Sequence, residues 1–140
     1  MGSAMLVEWG EKLKTGWSFM DDDHRRFVEL LNDLHDNSLG ASSNFAAPSM
    51  VGELIAVMRA HFDSEETVMQ QIRYPKLPDH RAQHDLMRRK LDALTADLDA
   101  CTGIAVDELI DLLSTWLAQH IAGCDRDLAR RISRRFSIGR

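Results

Sequence analysis

The stretch VGELIAVMRAHFDSEETVMQQI, residues 51–72, decides the fold. Its apolar residues Val51, Leu54, Ile55, Met58, Phe62, Val68, Met69 and Ile72 recur at helical spacing and mark one buried stripe. His61 and Glu65 fall inside that stripe, so a helix built on it turns two hydrophilic side chains into a core. A buried carboxylate costs several kcal/mol unless a cation compensates it. Glu65 therefore asks for a metal or a basic partner, whereas Glu66, one residue on, faces the other way.

Three more helices are predicted around this one. From about Ser18 a helix is supported by Asp21, Asp22 and Asp23 near its positive N-terminal end, with the stripe Met20, His24, Phe27, Leu31, Leu34. Before it, residues 6–17 lack a helical period and hold Trp9, Gly10, Gly16 and Trp17. They read as a non-helical arm laid over the core and anchored by the two Trp. Gly40 to Pro48 is a loop, and the second helix runs from near Pro48 to about Arg73. Around Pro78 and Asp79 a third begins, with the stripe His80, His84, Met87, Leu91, Leu94, Leu98. After Thr102 and Gly103 a fourth carries Leu109, Leu112, Leu113, Trp116, Leu117, His120 and Ile121, and its pattern continues to about Ile132.

There is no strand-like alternation and no repeat. The expected fold is all-α: an antiparallel up-down-up-down four-helix bundle with a non-helical N-terminal arm, one domain over residues 6–132. Residues 1–5 read as an expression scar, and residues 133–140 as a basic C-terminal tail. In that topology His24, His61, Glu65, His80, His84 and His120 all fall at one end of the bundle, so distant positions converge on one layer.

Bulk properties exclude several classes. A formal charge of −5 over 140 residues argues against nucleic acid, whose affinity comes from neutralising phosphates. No apolar run reaches the ~20 residues a membrane span needs, and the N-terminus lacks a signal-peptide layout, so the expected location is cytoplasmic, with no membrane partner. Cys101 and Cys124 are too few for a disulfide framework and are expected to be reduced.

His61 with Glu65, and His80 with His84, are spaced i,i+4, about 40° apart on a helix face, so each pair can chelate one site. A lone inward His is more often a core residue satisfied by a hydrogen bond. Five in one layer with a carboxylate could not all find partners in an apolar core. They also exceed what one ion takes, so two metals are expected. Imidazole with carboxylate suits iron, zinc or copper, with iron ahead of zinc. His35 lies about 16 Å along the helix from His24, outside the layer. The Met residues at 50, 58, 69 and 87 read as core filling.

Together, Met20-Asp-Asp-Asp-His24, His61-Phe62-Asp-Ser-Glu65-Glu66, Tyr74-Pro75, His80-x3-His84 and Trp116-Leu117-x2-His120-Ile121-x3-Asp125 resemble the hemerythrin family, in its bacterial form, over about residues 7–128. The resemblance implies two iron ions (Fe2+/Fe3+) with an oxo or hydroxo bridge. His80, His84 and His120 would hold one, His24 and His61 the other, and Glu65 and Asp125 would bridge both. Dioxygen would bind at the open position of the iron with two imidazoles, walled by Phe62, Leu117 and Ile121. The implied function is reversible oxygen binding for storage, delivery or sensing, not catalysis. The alternatives are a di-iron enzyme acting on peroxide or nitric oxide, and a redox-sensing module read by a protein partner, for which the basic C-terminal end is a candidate surface.

The chain departs from the family pattern at Asp23, where Gln is common, at Trp17, where a smaller aliphatic is usual, and at Arg73, where Gly often precedes Tyr-Pro. Spacing and resemblance also disagree at one point. Cys124 is i+4 from His120 and shares its face, whereas Asp125 is i+5 and about 140° round an ideal helix. Spacing alone chooses Cys124; the resemblance chooses Asp125. For Asp125 to reach the layer, the fourth helix must rotate, loosen or carry a π-type bulge.

Overall fold

The computed structural model describes residues 13–39, 48–99 and 106–135. Trp9 with most of the arm, the loop after Gly40, Cys101 and Arg140 lie outside the described residues, as do the side chains of Leu98 and Arg135. The described elements are α1 (Ser18–Leu39), α2 (Pro48–Gln71), α3 (Leu77–Asp99), α4 (Val106–His120), a π-helical turn (Ile121–Asp125) and α5 (Arg126–Arg135). His120 and Arg126, flanking the π turn, both keep right-handed helical dihedrals. The last three elements therefore form one rod, and the all-α four-helix bundle expected from the stripes is the fold found.

Cross-helix pairs fix the direction of each helix. Asp23 of α1 meets His61 of α2 while Arg26 pairs with Glu53, so α2 recedes as α1 advances. Arg81 with Glu66, Arg88 with Asp63 and Arg59 with Asp92 give the same antiparallel register for α2 and α3. Gln83 with His120 ties α3 to α4, and His24 with Asp125 closes the ring back to α1.

Local chemistry sets the boundaries. At the start of α1 the Trp17 carbonyl accepts from the Met20 and Asp21 amides at 3.1 and 2.9 Å. The Asp21 carboxylate gathers the Thr15 and Gly16 amides, and Gly16 makes the turn at φ 94°, where a side chain is disfavoured. Trp17 then donates from Nε1 to the Ala129 carbonyl at 3.2 Å and Ser133 Oγ at 3.1 Å, which pins residues 14–17, non-helical as expected, against α5. At the end of α2, the Tyr74 amide bonds to the Met69 carbonyl and the Arg73 amide to the Gln70 carbonyl. Arg73 sits at φ 54°, the left-handed position that glycine usually takes in this helix stop.

The core has two parts. The larger packs Phe27, Leu31, Leu54, Met58, Phe62, Met87, Leu91, Leu113, Leu117 and Ile121 along most of the bundle. The smaller packs Met20, Met69, Ile72, Tyr74, Leu128 and Ile132 at one end. Met58, Met69 and Met87 are buried filling, as expected, and Met50 is only partly buried. No helix among the described residues is long and apolar enough to cross a membrane.

Candidate metal centre

Seven polar side chains are buried among the described residues: His24, His61, Glu65, His80, His84, His120 and Asp125. These are the seven candidates read from the sequence, and the fold brings all of them together. They form two groups, one of Glu65, His80, His84, His120 and Asp125, the other of His24, His61, Glu65 and Asp125, with ligand atoms in each group within 4.8 Å of one another. His35 belongs to neither.

The two carboxylates belong to both groups, and each divides its oxygens between them. Glu65 Oε1 lies 3.2 Å from His80 Nε2 and 3.0 Å from His84 Nε2, while Oε2 lies 2.8 Å from His61 Nε2. Asp125 Oδ1 lies 3.1 Å from both His80 and His120 Nε2, while Oδ2 lies 2.9 Å from His24 Nε2. Two sites sharing two bridges is the arrangement such a split provides.

Asp125 gets there through the π turn. The Arg126 amide bonds to the Ile121 carbonyl, an i→i+5 bond that adds one residue to the turn. That extra residue rotates Asp125 inward, fully buried, beneath His120. Cys124, which an ideal helix would place on the ligand face, is only partly buried, carries a free thiol and lies in neither group.

The outer edges of three rings are held. His61 Nδ1 donates to Asp23 Oδ2 at 2.7 Å, His84 Nδ1 to Glu66 Oε2 at 2.8 Å and His120 Nδ1 to Gln83 Oε1 at 3.1 Å. A proton fixed on Nδ1 leaves the Nε2 lone pair aimed at the centre, the tautomer a metal requires. Phe62 stacks on His84 with centroids 4.2 Å apart, and Trp116 on His120 at 4.4 Å. The sequence reading passed over Glu66, Gln83 and Trp116 as ring supports. Glu66, expected to face the other way from Glu65, stays out of both ligand groups, but its side chain is only 13% exposed and holds the rim of the His84 ring. The signal for such residues is that a liganding imidazole needs an acceptor behind it, and its search space is the neighbouring helix.

Electrostatics explain what the centre is built for. Burial alone would lower the His61 imidazole, but the Glu65 charge and the Asp23 hydrogen bond push it up to about 10. His80 rises to about 9 and His120 to about 11, in each case because carboxylate contacts outweigh burial. Glu65 and Asp125 are held below the usual carboxylate range, since the imidazoles overcome burial and, for Asp125, the repulsion of Glu65. Behind the rings, burial would raise Glu66, but hydrogen bonds from His84 and Arg88 hold it low.

Protons satisfy this charge demand poorly. Nε2 atoms face each other at 3.1 Å between His24 and His61, His80 and His120, and His84 and His120, where two N–H groups would collide. Glu65 Oε2 and both Asp125 oxygens are buried without a directed hydrogen bond. Convergent lone pairs and unsatisfied buried oxygens fit cations lodged between them.

A cavity of about 10 Å³ abuts the group with two imidazoles, lined by Asp23, His24, Phe27, Val57, Met58, His61, Phe62, Trp116, Leu117, His120 and Asp125. Of the three expected wall residues, Phe62 and Leu117 line it. Ile121 does not; it opens the π turn, is fully buried and packs into the larger apolar cluster.

Comparison with known proteins shows the family. The family model for the hemerythrin HHE cation binding domain matches residues 15–132. A bacteriohemerythrin of Pseudomonas aeruginosa (strain LESB58) is 34% identical over 117 residues, 84% of this chain and 75% of that protein. The myohemerythrin of Sipunculus nudus is 30% identical over 117 residues, 84% of this chain and 86% of its own. Among solved structures, a wild-type hemerythrin superposes with a TM-score of 0.80 at 27% identity, covering 91% of this chain and 98% of its own. With a cation-binding family model spanning the bundle that carries these ligand groups, the chain belongs to the hemerythrin family.

Proposed function

We propose that this chain binds dioxygen reversibly at a pair of non-haem irons, in storage, delivery or sensing. His80, His84 and His120 would hold one iron, His24 and His61 the other, and Glu65 and Asp125 would hold both through separate oxygens. Bound there, two ferrous ions supply two electrons and a vacant position for a diatomic ligand.

The observation that carries the reading is where the cavity lies. It touches both imidazoles of the two-imidazole group but only His120 of the other, and its volume of about 10 Å³ is near that of one water-sized guest. Phe27, Val57, Met58, Phe62, Trp116 and Leu117 make most of its wall apolar. Such a wall keeps water and protons from a bound guest, which favours release of dioxygen unchanged over its reduction. Glu66, Gln83 and Asp23 keep three rings in the liganding tautomer, and Phe62 and Trp116 stop two of them from tilting.

One observation favours a second reading. Asp23 lines the same cavity, with its side chain about 43% exposed, so a carboxyl group is present where turnover of peroxide or nitric oxide would need a proton donor. That carboxylate already accepts from His61, and the wall is otherwise apolar, so binding is the better-supported function. The test is cyclic exposure of the reduced, iron-loaded protein to air and argon. Repeated appearance and loss of a visible charge-transfer band supports reversible binding; a single irreversible oxidation, or consumption of peroxide over many turnovers, supports the enzyme.

A further inference from the structure

Some arginines on this surface are paired with a carboxylate, and a cluster of three on α5 has none so close. Arg25, Arg26, Arg59, Arg81 and Arg88 each have a carboxylate within 4.0 Å. Arg130, Arg131 and Arg134 of α5 have none among the described residues. They surround a surface pocket of about 140 Å³ together with Tyr74, Pro75, Lys76 and Asp127. Its one acid is already engaged, by the Tyr74 hydroxyl and by Lys76 at 3.4 Å. Positive charge is thus concentrated at one end of a chain whose net charge is −5.

The position of this patch gives it a use. Lys76 and His80 are one helical turn apart, and the His80 amide donates to the Lys76 carbonyl at 3.0 Å. A second cavity, of about 190 Å³, shares Tyr74, Lys76 and Asp127 with the basic pocket and reaches His80. The Nε2 edge of that ring faces the ligand cluster, and its buried Nδ1 has no hydrogen-bond partner. Among the rings of the cluster, His80 is the one that lines this second cavity, and it does not line the apolar one.

We propose that Lys76, Arg130, Arg131 and Arg134 form the docking surface of an acidic one-electron donor protein, which returns the oxidised centre to its ferrous state through the edge of His80. This rests on the di-iron reading. Two donor molecules, each oxidised by one electron, reduce the two ferric ions to ferrous. An acidic protein fits better than a membrane because the apolar residues of α5, Leu128, Ala129 and Ile132, are buried in the bundle and leave the described outer face nothing to insert into lipid. Arg130 and Arg134, one turn apart on one face, present a stripe that matches several carboxylates on a protein surface.

The experiment compares the parent with the triple variant Arg130→Glu, Arg131→Glu, Arg134→Glu, both iron-loaded. Reduction of the diferric protein by a reduced, acidic plant-type ferredoxin is followed by stopped flow at low and high salt, and binding of the oxidised ferredoxin by fluorescence anisotropy. The expected result is reduction slowed about tenfold or more at low salt, with ferredoxin binding lost and the salt dependence lost or reversed, since steering of this kind changes association rates by 10 to 10³. Iron content and the spectrum in air should match the parent, as should reduction by cationic hexaammineruthenium(II) at high salt, where steering is screened. Parental ferredoxin kinetics in the variant would overturn the proposal. So would a variant that loses only its binding to inorganic phosphate or to phosphatidylserine vesicles. A parent without iron would instead sink the di-iron reading, and the anisotropy arm would still show whether the patch binds an acidic protein.

Discussion

The two halves of the ligand cluster are built from the same side chains and finished differently. The half on α3 and α4 has three imidazoles, and two of them are covered by flat aromatic rings, Phe62 on His84 and Trp116 on His120. The half on α1 and α2 has two imidazoles and faces a small cavity. A metal held by three imidazoles and two carboxylates would be nearly enclosed, whereas one held by two imidazoles and the same carboxylates would have room for a guest. The asymmetry comes from one ligand fewer and one cavity more.

The largest effect should come from removing what both halves share. Asp125→Ala takes an oxygen from each, and iron content should fall well below two per chain, while Cys124→Ser keeps both irons. Elemental analysis of the two variants decides between them, and iron retained in Asp125→Ala but lost in Cys124→Ser would reverse the assignment. Next, each half can be weakened alone. Glu66→Gln loosens His84 and Asp23→Asn loosens His61, and supports of this kind cost roughly 10- to 100-fold in metal affinity. Competition with a chelator should show one of two irons weakened in each variant; equal loss of both would argue that the halves are not separable.

Leu117→Ala acts on the open half only. It should speed decay of the oxygenated form by on the order of tenfold without loss of iron, since the wall controls water access. A buried leucine cut to alanine also costs about 2–5 kcal/mol of stability, so decay is compared well below the melting temperature. Metal-free protein sharpens the comparison through pH. His61, His80 and His120 are raised to about 10, 9 and 11, so their stabilising contribution is fully present below pH 6.5 and is lost as pH rises through that range. The melting temperature of the metal-free protein should fall between pH 7 and 11, and that of the iron-loaded protein should fall less, because metal rather than protons then faces the carboxylates. The smallest effect lies outside both halves. Arg73→Gly relieves a left-handed residue at the end of α2 and should stabilise the fold by about 1 kcal/mol with no change in iron or spectrum.

Much of this was legible because burial and periodicity act together. Polar residues within apolar stripes, His61 and Glu65 above all, cannot be explained by packing, and antiparallel topology forces them to one level. Asp125 was not legible from spacing, because spacing assumes 3.6 residues per turn and the π turn breaks that rule; the likeness to a family supplied the residue, and the bulge followed from it as a geometric need. Ile121, which opens the π turn, is fully buried in the larger apolar cluster and is not among the residues that line the cavity. Asp23, Glu66 and Gln83 lie partly exposed on helix flanks, where a charged or amide side chain is ordinary, and only the ring each one holds sets it apart.

Diffraction at the iron edge from crystals of the iron-loaded chain tests the central claim most directly. The account predicts two anomalous peaks, one bonded to Nε2 of His80, His84 and His120, the other to Nε2 of His24 and His61, with Glu65 and Asp125 each giving one oxygen to each peak. A single peak, or a peak bonded to the Cys124 thiolate, would contradict it.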